Sequence, residues 1–396
     1  MKVLIADKLA EVTVKELEAL GAKVTMQPDL SAEDLPQAIG DAEILVVRST
    51  KVTKATIEKA HALSLIIRAG AGVNTIDLDC ASSYGIYVTN CPGKNTAAVA
   101  ELAIGLLIAA DRNIVSASGD LRNGKWRKKF YGSNANGLKG RTLGIIGLGS
   151  IGKAVARRAQ GLDMQIAAWS RSLTPEIAEE LEIESVDSPL KLAEISDAVT
   201  VHLAATGETR HIINKEFLNR MKPGAILINT SRGEVVDTAA LKMAIDEKGI
   251  KVGMDVYENE PAGGEAPFEA TGLAAAVTCT PHIGASTAQA SEAIAAEVVN
   301  IVRAYRDTGT PINVVNIQKQ SPAVNNLVIR HFNKVGVLAG VLDELRGANI
   351  NIEEMQNIIF EGGHAASCTL RLDDSVPANL LPRLENMENI IQVSVA

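Results

Sequence analysis

Aromatic side chains make up only 3% of the 396 residues, so any core must be packed with Ala, Val, Ile and Leu, within a hydrophobic content of 46%. Aliphatic packing of that kind suits layered α/β folds, whose parallel strands are buried on both faces. Cysteine is scarce as well. Cys80, Cys91, Cys279 and Cys368 are scattered and form no Cys-x-x-Cys pair. That pattern argues against a disulfide framework and reads as reduced thiols of a cytoplasmic protein, with no metal site expected. No apolar run approaches the ~18–20 residues of a membrane span, and the opening MKVLIADK begins a strand pattern, not a signal peptide. Basic excess is missing too: a net charge of −8 argues against nucleic acid as a bulk partner.

What is present is a glycine turn. Residues 143–152 read LGIIGLGSIG, a short apolar strand running into Gly147, Gly149, Ser150, Ile151 and Gly152. A glycine turn between a buried strand and a helix lets backbone N–H groups approach a pyrophosphate, with the positive end of the following helix aimed at the same phosphates. The turn comes about 140 residues into the chain, so another layer precedes it. Strand and helix patterns alternate over 1–95 and predict a small open α/β layer. A long helix from about Thr96 to Arg122, apolar nearly all round, is expected to be buried. Six strands between 142 and 281 predict a doubly wound, Rossmann-type sheet within a dinucleotide-binding domain spanning 96–284. A helix over about 289–307 leads back, so the first domain is discontinuous, 1–95 with 285–316. After a linker, residues 323–396 read as a separate βαββαβ unit.

The acid expected about 20 residues after the glycine turn, to take the adenosine ribose hydroxyls, is missing. Ser170, Arg171 and Ser172 stand there. Two readings stay open: an arginine with two hydroxyls suits a 2′-phosphate, and equally Arg171 stacks on adenine or is solvated. Three later segments each end a strand at the carboxyl edge of the sheet: NTSRG (229–233), DVYENEP (255–261) and TPHIG (280–284). Together they place a cation, a carboxylate and an imidazole beside a dinucleotide. Hydride transfer to a keto acid needs that set: a cation for the substrate carboxylate, an acid/base for the hydroxyl proton and a carboxylate to orient the histidine.

The ordered set GLGSIG, NTSRG, DVYENEP and TPHIGAST, with RAGAGVNTID and NCPGKNTAAVAE upstream, closely resembles the D-isomer-specific 2-hydroxyacid dehydrogenases over about residues 1–316. The resemblance implies a flavodoxin-like α/β substrate domain around the inserted cofactor domain. It implies His282 as acid/base, Glu260 as its partner and Arg232 as substrate clamp, with the backbone at Ala71, Gly72 and Val73 holding the carboxylate. Thr230, Ser231, Asp255, His282 and Gly284 would bind an NAD or NADP cofactor, with Asp255 near the nicotinamide amide. One departure is Ala204, where the family carries proline. The segment VRSTKVT (47–53) resembles that of D-3-phosphoglycerate dehydrogenases, implying that Arg48 and Ser49 meet a substrate phosphate, so that a phosphorylated hydroxy or keto acid is the expected partner.

The tail resembles an ACT domain, an amino-acid sensor that pairs with a second copy. His331, Asn333 and Asn351 fall on the serine-binding positions of serine-inhibited members, with a purely dimerising domain as the other reading. A homodimer or homotetramer is expected. The basic run Gly124–Phe130 is expected to pack on a second subunit near an active site, or else to be a solvated loop. An NADPH-dependent glyoxylate or hydroxypyruvate reductase, and a nucleotide-sensing regulatory protein on the same fold, are the rival functions.

Overall fold

In a computed structural model, which describes residues 1–261, 266–318 and 321–395, the chain forms two compact units, Met1–Asn316 and Ile317–Ala396. Of the linker, Lys319 and Gln320 lie outside the described residues, as does Ala396 of the last strand pattern.

The first unit holds two parallel sheets. Strands β1 (Lys2–Ile5), β2 (Lys23–Met26), β3 (Ile44–Val47), β4 (Leu65–Arg68) and β5 (Tyr87–Asn90) pair in the order β2-β1-β3-β4-β5. This is the flavodoxin-like order, and its reversal point lies between β1 and β3, where ligands bind at the carboxyl ends of strands. The strands are short aliphatic runs; all four residues of β3 are buried. Helix Ala288–Thr308 returns to this sheet and packs Ile294, Val298 and Val302 against Val3, Ile5 and Ile44.

The second sheet comprises β6 (Thr142–Ile146), β7 (Gln165–Trp169), β8 (Glu184–Ser185), β9 (Ala198–Val201), β10 (Ile226–Asn229), β11 (Lys251–Met254) and β12 (Thr278–Cys279). All pair in parallel in the order β12-β11-β10-β9-β6-β7-β8. Its strand order reverses beside β6, the strand that feeds the glycine turn. The two-residue β8 is absent from the sequence reading. Glu184 and Ser185 are exposed and polar, so no apolar pattern marks that edge.

The long helix expected from Thr96 to Arg122 is corrected by the structure. Helix Thr96–Arg112 ends at Asn113, whose φ of 52° is left-handed, and a second helix, Ile114–Arg122, begins there. Asparagine tolerates that conformation, which a continuous helix does not contain. The first helix is buried, with Ala103, Leu106 and Leu107 against Ile226 and Ile228. The second buries none of its residues: Ile114, Val115 and Leu121 are 49%, 58% and 57% exposed. A count of apolar residues does not distinguish a core face from an unpartnered one.

The second unit is a four-stranded antiparallel sheet of β13 (Asn325–Phe332), β14 (Ile352–Ile359), β15 (Ala365–Leu372) and β16 (Ile390–Val395), in the order β14-β15-β13-β16. Helices Val337–Gly347 and Leu380–Glu385 complete a βαββαβ succession. They cover one face through Val341, Leu345 and Leu384 on Leu327, Ile329 and Leu370. Among the described residues no helix is long and apolar enough to cross a membrane.

Candidate active site

Each glycine of the turn after β6 has its own physical reason. Gly147 has a φ of +93°, and a Cβ there would stand 2.5 Å from the His202 carbonyl oxygen. A Cβ on Gly152 would stand 2.2 Å from the Gly147 carbonyl oxygen, so this glycine lets helix Ser150–Gln160 sit against the turn. Gly149 faces open space: a Cβ there would have nothing within 4 Å. It is the residue before the helix and makes no side-chain cap. The first N–H groups of this helix therefore keep their hydrogen-bonding capacity beside an open glycine. Ser150 is exposed there and Ile151 half-buried. This cradle fits a dinucleotide pyrophosphate.

Two strand ends build the reacting side. After β10, Asn229 Oδ1 accepts from the Ser231 N–H at 3.0 Å and the Ser231 hydroxyl at 2.8 Å, while its amide donates to the Arg232 carbonyl at 2.8 Å. The side chain of Asn229 thus folds the turn that presents Arg232. The Ser231 hydroxyl is spent inside this turn, and the buried Thr230 hydroxyl has no partner among the described residues. After β11, Asp255 is buried and accepts from Ile283 N–H and Gly284 N–H, both at 2.8 Å, and from the Thr280 hydroxyl at 2.6 Å. The structure therefore gives Asp255 the task of anchoring the histidine turn. His282 sits in that turn with a left-handed φ of 52°, a conformation that non-glycine residues adopt at some cost and that clusters at functional sites.

His282 Nδ1 lies 2.5 Å from Glu260 Oε1, and among the described residues no hydrogen bond uses Nε2. The bond to Glu260 outweighs partial burial and raises the His282 pKa above its usual 6.5. Burial pushes the Glu260 carboxyl up, but the hydrogen bond and charge of His282 hold it below the usual carboxylate range. Two residues before Glu260, Glu258 accepts from His211 Nε2 at 2.6 Å and from the Thr238 N–H at 3.0 Å, which fastens the Glu260 loop to the segment following Arg232.

Arg232 also meets the first sheet. A Cβ on Gly72 would stand 2.6 Å from its Nη2. Among the described residues no hydrogen bond within the chain uses the N–H groups of Ala71, Gly72 or Val73. These N–H groups lie beside a guanidinium and are available to an anionic ligand. The sequence motifs assign no role to Arg68, at the end of β4. Its Nε is buried without a partner among the described residues. Burial, then the charges of Arg232 and Arg48, hold its pKa below the usual arginine range. Arg48 follows β3 and Arg68 ends the neighbouring β4, where Val47 and Arg68 are register partners. The signal available in sequence is position: a cation at the carboxyl end of a parallel strand.

Asp7, beyond β1, holds the Arg48 loop in place. Its carboxylate accepts from the N–H groups of Arg48 (2.7 Å), Ser49 (3.2 Å) and Thr50 (3.1 Å) and from the Ser49 hydroxyl (2.5 Å). The Ser49 hydroxyl is therefore turned inward to Asp7. Burial alone would raise the Asp7 pKa, yet these bonds keep it low. Asp7→Asn keeps the shape and loses the charge that four donors share. Hydrogen bonds to a charged group contribute ~1.5–3 kcal/mol each. Loosening the loop is expected to raise KM for an anionic substrate about tenfold with a smaller change in kcat, as read from steady-state kinetics.

The remaining sequence-derived candidates lie at the end of β7 and in the C-terminal unit. Arg171, exposed beyond β7, pairs with Glu208 at 2.9 Å, and Ser170 and Ser172 face each other at 3.3 Å. In the C-terminal unit His331 is 2% exposed, with Nδ1 on the Phe332 carbonyl at 2.8 Å and Nε2 3.4 Å from Asn357 Oδ1. Asn333 is exposed at the same end of the sheet, its amide on the Gly363 carbonyl. Asn351 precedes β14 at the opposite end, since Ile352 and Asn325 both pair with Leu372. One copy of the unit does not bring the three together.

Comparison with known proteins points the same way as this geometry. Residues 104–284 match the model of the D-isomer specific 2-hydroxyacid dehydrogenase, NAD binding domain. The chain is 40% identical over 325 residues to the glyoxylate reductase of Thermococcus litoralis, covering 80% of this chain and 96% of that one. It is 40% identical over 320 residues to the D-3-phosphoglycerate dehydrogenase of Methanocaldococcus jannaschii, covering 80% of this chain but spanning only 60% of that longer protein. Among solved structures, an acyclic imino acid reductase (Bsp5) in complex with NADPH and D-Arg superposes with a TM-score of 0.69 at 27% identity, over 80% of this chain and all of that one.

Proposed function

The chain belongs to the D-isomer-specific 2-hydroxyacid dehydrogenases, and from that premise we propose that it oxidises 3-phospho-D-glycerate to 3-phosphooxypyruvate with NAD(P), the entry step to L-serine. The observation that carries this reading is the placement of cations at adjoining strand ends: Arg48 after β3 and Arg68 at the end of β4, whose Val47 and Arg68 are register partners, with Arg232 beside Gly72 in the loop after β4. A single carboxylate is satisfied by Arg232 and the backbone N–H groups at Ala71–Val73. Two further cations ask for a second anionic group, and a phosphate is the group that arginine binds bidentately.

A nicotinamide dinucleotide held at the Gly147–Gly152 turn would supply the acceptor for the hydride of the substrate C2–H. The residues of the chain handle the rest. Neutral His282, with its Nδ1–H on Glu260, takes the C2 hydroxyl proton at Nε2. Glu260 stabilises the imidazolium that forms. Arg232 holds the carboxylate and polarises the forming carbonyl, while Arg48 and Arg68 take the phosphate. In reduction the same proton returns from His282.

A second reading, an NADPH-dependent glyoxylate or hydroxypyruvate reductase, is favoured by Arg171 beyond β7 and by the near full-length likeness to the Thermococcus enzyme. Glyoxylate, with one carboxylate, leaves Arg48 and Arg68 without a partner. A purely nucleotide-sensing role leaves the Glu260–His282 pair without work. A matrix of initial rates separates the readings: phosphooxypyruvate, hydroxypyruvate and glyoxylate against NADH and NADPH, each with and without L-serine. The expected outcome is at least a tenfold higher kcat/KM for phosphooxypyruvate, with inhibition by serine. Faster turnover of glyoxylate sinks the phosphoglycerate assignment.

Serine sensitivity rests on an ACT reading of the C-terminal unit. Asn333 and Asn351 lie at opposite ends of its sheet, so an amino acid touching both sits between two copies. Self-association also suits the exposed helix Ile114–Arg122 and Trp126, 78% exposed beside Lys125, Lys128 and Lys129. A homodimer or homotetramer would cover this apolar and basic surface and carry its positive potential toward an anionic substrate.

A further inference from the structure

The end of β7 lacks the acid that takes the adenosine ribose diol, yet an acid is present there in space. Glu208 Oε2 accepts from Arg171 Nη1 at 2.9 Å, although 37 residues separate the two. Glu208 belongs to the turn after β9, and that turn is fastened by hydroxyls. Thr206 N–H donates to Thr209 Oγ1 at 2.8 Å, and Thr209 N–H donates to Thr206 Oγ1 at 3.3 Å. The Thr209 hydroxyl donates to the Ala204 carbonyl at 2.6 Å, and Arg210 N–H reaches the Thr206 carbonyl at 3.0 Å. Side-chain bonds thus close the turn at the position where the sequence has alanine in place of proline. They set the backbone from which Glu208 projects.

We propose that Glu208 selects the cofactor: it holds Arg171 across the adenosine end of the crevice and favours a free ribose 2′-hydroxyl over a 2′-phosphate. The proposal rests on the dinucleotide reading of the same crevice. A 2′-phosphate is a dianion that needs the Arg171 guanidinium unpaired, and here that donor already faces a carboxylate of like charge to the phosphate. A ribose diol makes no such demand, because its hydroxyls donate to Glu208 while Ser170 and Ser172 supply further polar contacts. Discrimination then comes from a repulsive element aimed at one ligand as much as from attraction to the other. Arg171, which by itself invites NADP, is held by its partner in the NAD-selecting arrangement.

The experiment measures Kd for NADH and for NADPH by nicotinamide fluorescence, without substrate, on the full chain and on Glu208→Gln, Arg171→Ala and the double variant. kcat/KM for each dinucleotide is measured alongside. The wild type is expected to bind NADH more tightly than NADPH. Glu208→Gln is expected to lower the ratio of the NADPH to the NADH Kd at least tenfold, about 1.4 kcal/mol, chiefly by tightening NADPH. The double variant is expected to lose that gain, since it has no guanidinium to release. The gain should shrink in high salt, because both side chains are solvent-exposed. An unchanged ratio in Glu208→Gln, or a wild type that prefers NADPH, overturns the proposal. A wild type that binds neither dinucleotide overturns the dinucleotide reading, and this proposal with it.

Discussion

Replacing His282 by Gln is expected to lower kcat for keto-acid reduction by ~10³-fold, the middle of the range that a positioned acid/base contributes. Dinucleotide Kd is expected to stay within about threefold, because the pyrophosphate cradle at Gly147–Gly152 is formed by a separate turn. The pH profile carries the same assignment. Glu260 raises the His282 pKa above 6.5. Reduction needs imidazolium, so its rate is full below the raised pKa and falls as pH rises through it. Oxidation needs neutral imidazole, so its rate rises through the same pKa. Glu260→Gln removes the charge that favours imidazolium and should move both limbs down toward 6.5, with a loss in kcat smaller than that of His282→Gln. A kcat unchanged in His282→Gln, or limbs unmoved in Glu260→Gln, refutes the roles given to these two residues.

The legibility of these residues in sequence follows from how local their causes are. The glycine turn is readable because the causes act within a few residues: the positive φ at Gly147, and the Gly152 to Gly147 approach that seats the helix. Arg232, Glu260 and His282 are readable as chemistry at strand ends, since the parallel sheet brings its carboxyl ends to one edge. The break at Asn113 is not, because one left-handed residue ends a helix without changing its apolar count. Arg68 and Asp7 escape notice for a different reason. Each is unremarkable in its own strand, and only the packing of β1, β3 and β4 side by side gives Asp7 four donors and sets the charge of Arg68 among other arginines. Glu208 is the extreme case. The missing ribose acid is visible as an absence after β7, while the residue that stands in for it arrives from a turn on the far side of β6.

Arg232→Lys is expected to lower kcat/KM for the keto acid by ~10²–10³ with little change in dinucleotide Kd. The guanidinium is shaped to its place. Its Nη1 donates to the Ser231 carbonyl at 2.6 Å, and its Nη2 lies where only a glycine at position 72 leaves room. A planar fork held this way reaches a substrate carboxylate and carbonyl in a fixed orientation. An ammonium keeps the charge and loses the fork. Charged hydrogen bonds contribute ~1.5–3 kcal/mol each; losing one strong or two weaker ones, about 3–4 kcal/mol, gives the expected range. Gly72→Ala tests the same geometry from the other side, because its methyl would displace the guanidinium and should raise KM through Arg232 itself. If both variants act on that one group, the double variant is no worse than the worse single one. Additive losses would mean that Gly72 and Arg232 serve the substrate independently, and the shared carboxylate site between the two sheets would have to be abandoned.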